Sequence, residues 1–189
     1  MSAPIQNPAE QLQQAVLALN AVQKALDFAL ADLKERTQKA DGKVSAALLD
    51  QHQLASYDLA LSCAEVTGAR FMLDYAERAR AAGGGSTSEA ILEERFALLF
   101  TAEALQGVRN RLSARPADFG LNDNWLSATV DHPAVRGFCV AQLPAATLAD
   151  LGQRVRSQDG VTGAYLLDDH HEMMRDTFRR VAEEVVMPL

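Results

Sequence analysis

Apolar residues recur at intervals of three and four along three long stretches of the chain, which is the period of one face of an α-helix. The first stretch predicts a helix over residues 8–38, with Pro8 in its first turn. An Asp41-Gly42 pair then predicts a turn. The apolar face of this helix is expected to comprise Leu12, Val16, Leu19, Val22, Leu26, Leu30 and Leu33.

The second stretch predicts a helix over residues 45–82. Its apolar positions include Gly68, and a glycine inside a helix costs about 1 kcal/mol relative to alanine. A close helix crossing at Gly68 would explain why that cost is tolerated. The positions predicted to face the core are Leu54, Tyr57, Leu61, Ala64, Gly68, Phe71 or Met72, and Tyr75.

The third stretch predicts a helix over residues 89–114, which begins after three consecutive glycines. Gly83-Gly84-Gly85 follows a helix and lacks the Lys-Ser/Thr tail of a P-loop, so it is interpreted as a connection and not as a phosphate site. Ser86 and Glu89 have the spacing of a capping box, and Arg115-Pro116 ends the helix. The inward positions are expected to be Leu92, Phe96, Leu99, Ala102, Leu105, Val108 and Leu112.

Shorter elements are predicted in the remainder of the chain. Residues 116–131 lose the helical period and predict an ordered loop anchored by Phe119 and Trp125. Short helices are expected at about residues 133–141 and 145–157, followed by a turn at residues 158–160. Residues 160–167 are compatible with a short extended piece.

A last helix is predicted to begin at Asp168 or Asp169 and to end at Pro188, with a capping box from Asp169 to Glu172. The chain as a whole therefore predicts an all-α fold: an antiparallel bundle of three long helices with shorter helices, followed by this further helix.

Composition and charge narrow the class of protein. The 189 residues are 48% hydrophobic and 23% charged, which is typical of a soluble globular domain. The net charge of -7 argues against binding to nucleic acids or to anionic membranes. No signal peptide or membrane span is expected, and Cys63 and Cys139 are interpreted as two buried thiols in a reducing cytoplasm.

The acidic and histidine residues at the start of the last helix have the residue types of a metal site but not its spacing. Consecutive side chains there point in different directions, and the chain contains no Glu-x-x-His motif. We therefore predict no metal ligand and interpret the cluster as a helix cap with solvated charge. The cluster consists of Asp168, Asp169, His170, His171 and Glu172.

Other polar and polarisable residues are interpreted as structural or solvent-exposed and not as functional. Arg109 and Arg111 could contact an anion such as a CoA phosphate, but a solvated helix face is the favoured interpretation. Met173 and Met174 are expected to fill a core, and His52 is expected to be exposed. Asp131-His132 is interpreted as a turn before Pro133, and neither cysteine has a periodic histidine partner.

The last helix, HEMMRDTFRRVAEEVVMPL, resembles the first helix of the acyl-CoA dehydrogenase fold. A fainter similarity joins the second predicted helix to a long helix of that family's C-terminal bundle, through Leu59-Ala60 and Ala69-Arg70. The residues that carry the main resemblance are Met174, Arg175, Asp176, Phe178, Arg179-Arg180, Val181, Ala182, Glu183-Glu184, Val185 and Pro188.

The resemblance implies that the chain is the N-terminal portion of an FAD-dependent flavoenzyme. Residues 161–189 would start its N-terminal helical domain, and residues 1–160 would be a helical extension. The implied partners are an acyl-CoA substrate, of the branched dicarboxylic kind for members with such an extension, and an electron-transfer flavoprotein. A homo-oligomer is also implied.

In that family the catalytic base is a glutamate of a later domain, and the flavin contacts also come from later segments. The resemblance therefore assigns no catalytic residue here and leaves the cofactor-binding residues unknown. The extension is expected to be non-catalytic, with a structural or access-controlling role. The alternative interpretation is a free-standing helical interaction module without catalysis.

Overall fold

The computed structural model describes residues 7–82, 91–158 and 167–187. Within these ranges the chain forms α-helices and no β-strand, which confirms the predicted all-α bundle. A 3-10 turn at Pro116–Phe119 and a π-helical turn at Ala182–Val186 complete the elements. The helices are α1 (Pro8–Thr37), α2 (Ala46–Asp50), α3 (Gln53–Ala82), α4 (Leu92–Ala114), α5 (Asp123–Ala128), α6 (Pro133–Gln142), α7 (Ala145–Ser157) and α8 (Asp169–Val181).

The long helices α1, α3 and α4 pack against one another around an alanine- and leucine-rich core. Short side chains allow the helix axes to approach closely, and leucines and valines fill the space between them. α6 closes the core against α1 and α4. The fully buried residues include Ala18, Leu19, Val22, Ala25, Leu26, Ala97, Ala102, Leu105, Val108 and Leu112.

The predicted second helix is wrong in its first part, because the chain turns between α2 and α3. The hydroxyl of Ser45 caps α2 by accepting a hydrogen bond from the Leu48 N–H at 3.4 Å. The Gln51 and His52 amides then donate to carbonyls three residues earlier, which tightens the backbone and ends α2. His52 is consequently half-buried at the turn, not exposed as predicted.

The predicted apolar face of α3 is also wrong at most of its positions, although Met72 packs against the core. Leu54, Tyr57 and Phe71 are 56%, 65% and 66% exposed. The helix instead packs a face rich in small residues against α1 and α4, where the aromatic rings of Tyr57 and Phe71 would hold the helices apart. The buried face comprises Ala55, Asp58, Leu59, Ser62, Val66, Ala69, Leu73, Ala76 and Ala79.

Parts of the predicted faces of α1 and α4 are wrong for the same reason. Val16 and Leu30 of α1 are exposed, while the neighbouring Ala15 and Ala29 are fully buried. Phe96 and Leu99 of α4 are half-buried, and Ala97, Leu98 and Thr101 occupy the core positions instead.

Gly68 faces the ring of Phe100 on α4. A Cβ atom at Gly68 would lie 3.3 Å from the Phe100 Cε1 atom, which is tighter than an ordinary contact. The glycine therefore leaves room for an aromatic ring of the neighbouring helix. This contact explains why a residue of low helix propensity is tolerated inside α3.

Residues 116–131 are more regular than the predicted loop, since they contain the 3-10 turn and α5. The predicted aromatic anchors are present: Phe119 is fully buried, and the Trp125 ring lies 4.4 Å from that of Phe28, centroid to centroid. Gly120 follows the 3-10 turn with φ +66°, a conformation that favours glycine.

Several predictions fall outside the described residues. These are the Gly83-Gly84-Gly85 connection, the Ser86 to Glu89 capping box, the extended piece before Leu167, and Pro188. The first residues of the predicted third helix and most of the turn at 158–160 fall outside as well. In the part of the chain that the structure describes, no helix is long and apolar enough to cross a membrane.

Candidate functional site

Three arginine–carboxylate pairs join α3 to α4 along their length. Successive partners advance along α3 and retreat along α4, so the two helices run antiparallel in one fixed register. We call this set the ion-pair ladder. Its pairs are Arg80 with Glu94, Glu65 with Arg111, and Asp58 with Arg115.

Glu94 is the fully buried member of the ladder. Arg80 donates to both of its carboxylate oxygens, and the Ile91 N–H donates to Oε2 at 3.1 Å. The hydrogen bond to Glu94 raises the pKa of Arg80. Glu94 therefore caps the start of α4 and compensates a buried charge, a role that a glutamate in the first turn of a helix suggests but the predictions missed.

Arg109 and Arg111 are engaged in ion pairs, so their interpretation as a solvated face is wrong. The Arg109 Nε atom lies 2.6 Å from Asp131 Oδ1. Arg111 binds the two carboxylate oxygens of Glu65 at 2.6 and 2.8 Å and donates to Ser62 Oγ at 3.1 Å. Because both guanidinium charges are already compensated, the alternative of a CoA phosphate site loses its support.

The Asp-His cluster at the start of α8 forms a helix cap. Asp168, not Asp169, is the capping residue: its Oδ1 accepts from the His171 N–H at 2.9 Å and contacts His171 Nδ1 at 2.7 Å. The hydrogen bond from the His171 backbone lowers the pKa of Asp168, and the one from its ring adds to this. No group of three or more His, Cys, Asp or Glu suited to hold a metal ion occurs among the described residues.

The two cysteines differ in burial. Cys139 is buried as predicted, with its Sγ 3.6 Å from the Ala102 carbonyl oxygen, and burial raises its pKa to about 11. Cys63 is only half-buried, and burial followed by the charge of Asp27 raises its pKa. Both shifts disfavour the thiolate form that a nucleophile requires.

α8 and the following turn leave an apolar face largely exposed in the described chain. None of the side chains of residues 167–187 is buried. The prediction that Met173 and Met174 fill a core is therefore wrong here, since they are 62% and 43% exposed, and Phe178 is 68% exposed. A sharply amphipathic helix in this state has the properties of an interaction surface.

A cleft of about 400 Å³ lies between the start of α4 and the end of α7. Its lining carries one carboxylate, Glu93, and one guanidinium, Arg154, and no aromatic ring. Without an aromatic ring to stack on the isoalloxazine, the cleft gives no support to a site for the FAD that the resemblance implies. It is lined by Ile91, Leu92, Glu93, Arg154, Ser157 and Gln158.

Over 177 residues the chain is 32% identical to (2S)-methylsuccinyl-CoA dehydrogenase of Cereibacter sphaeroides, a match that covers 90% of this chain. The chain resembles the N-terminal portion of an acyl-CoA dehydrogenase, as its last helix predicted. The match covers 31% of the relative, so the chain spans about a third of that protein's length. No protein-family model matches the chain.

Proposed function

We propose that this chain is the N-terminal portion of an FAD-dependent acyl-CoA dehydrogenase that removes hydrogen from the α and β carbons of an acyl-CoA, with methylsuccinyl-CoA as its substrate. The observation that supports this is the extent of the similarity to methylsuccinyl-CoA dehydrogenase. Because the match includes 90% of the chain, it takes in the bundle and is not confined to the last helix.

Within this proposal residues 1–160 are a helical extension, and residues 161–189 begin the dehydrogenase part. The apolar face of α8, unburied in the described chain, supports the division because a following domain would cover it. The carboxylates of the ion-pair ladder support a non-catalytic extension. Glu94, Glu65 and Asp58 are held by arginines and are not available as bases.

The reaction requires a carboxylate base for the α-proton and hydrogen-bond donors that stabilise the resulting enolate. FAD, when bound, supplies the acceptor for the β-hydride. We assign the base and the flavin contacts to polypeptide outside this chain. The role of the bundle is then structural: it packs beside the catalytic domains and narrows the entrance for the acyl-CoA.

The test is purification of the longer polypeptide. We expect flavin absorbance at about 450 nm and oxidation of methylsuccinyl-CoA in preference to straight-chain acyl-CoA, with an electron-transfer flavoprotein as acceptor. A folded long polypeptide that binds no flavin would overturn the proposal. Flavin binding without a preference for methylsuccinyl-CoA would overturn only the assignment of the substrate.

Deletion of residues 1–160 from that polypeptide tests the role of the extension. We expect the shortened enzyme to keep its flavin but to discriminate less between acyl-CoA substrates, or to lose its oligomeric state. An unchanged substrate profile together with unchanged assembly would contradict an access-controlling or structural role.

A free-standing interaction module is the second candidate. The exposed apolar residues of α3 and α8 favour it, since both helices offer surfaces that a partner protein would cover. This candidate requires that the bundle bind a partner without any dehydrogenase part, and the purification experiment distinguishes the two.

A further inference from the structure

We draw no further inference here: the strongest candidate, the exposed apolar face of α3 that carries Leu54, Tyr57 and Phe71, supports no proposal because nothing in the described part of the chain shows what covers it.

Discussion

The bundle and α8 are both built from amphipathic helices, yet only the bundle buries its apolar residues. α1, α3 and α4 have a modest separation of polar and apolar faces, and each contributes fully buried side chains to the core. α8 separates the two faces most sharply and buries none of its side chains. An amphipathic pattern therefore indicates that a helix packs against a partner. It does not indicate where that partner lies.

Because only the bundle buries its apolar side chains, we expect truncation of such a side chain to lower the free energy of unfolding in the bundle and not in α8. Leu105→Ala removes a fully buried side chain and should lower the free energy of unfolding by about 2–5 kcal/mol. Phe178→Ala in α8 should change it by less than about 0.5 kcal/mol, because that ring is mostly exposed. Urea unfolding followed by circular dichroism measures both. Comparable losses in the two variants would mean that α8 packs on the bundle.

Removal of one partner from the ion-pair ladder should cost most stability where the remaining charge is most buried. Arg80→Met leaves the buried Glu94 carboxylate without its partner and should cost about 3 kcal/mol. Adding Glu94→Leu to the Arg80→Met variant should restore most of the lost free energy of unfolding. Arg154→Met, which breaks an exposed pair with Asp150, is the control and should cost less than about 1 kcal/mol. A double variant as unstable as Arg80→Met would contradict the charge-burial explanation.

Two glycines of the bundle should respond in opposite directions to alanine. Gly120→Ala should destabilise by about 1–2 kcal/mol, because its φ is positive and the new Cβ would lie 2.6 Å from Asp32 Cγ. Gly137→Ala should stabilise by about 0.5–1 kcal/mol, since Gly137 is helical and nothing lies within 4 Å of its Cβ position. Thermal unfolding of both variants checks the signs, and equal signs would refute this account.

The smallest effect is expected at the start of α8. The folded-state pKa of Asp168 is lowered, so its capping contribution is present above the unfolded pKa of about 3.9 and is lost as pH falls through the folded value. An NMR titration of the His171 amide should show the first turn of α8 fraying in acid while the bundle amides stay protected. Asp168→Asn keeps a capping oxygen and should remove this pH dependence. A titration unchanged by that substitution would exclude Asp168 as its source.

Helix boundaries could be predicted where a local signal marks them. Pro8 sets the start of α1, Arg115-Pro116 ends α4, and the predicted bounds of α7 agree with the structure at Ala145–Ser157. Such signals act within a few residues of the chain, so one sequence suffices to find them.

The face that each helix buries was harder to predict. α3 has two apolar faces of similar period, and hydrophobicity alone favoured the one with Tyr57 and Phe71. The close packing of three helices selected the other, with Ala69 and Ala76. The ion-pair ladder was missed because it joins distant residues: 46 positions separate Glu65 from Arg111. The resemblance to acyl-CoA dehydrogenases rested on a local motif in α8 and was found for that reason.

The ion-pair ladder also sets where this protein can gain or lose residues. An insertion or deletion between Asp58 and Arg80 would shift the ladder residues that follow it on α3 relative to their partners on α4, unless α4 changed by a matching amount. Segments outside the ion-pair ladder carry no such constraint. Length variation among natural relatives should therefore concentrate between α3 and α4 and be rare inside either helix.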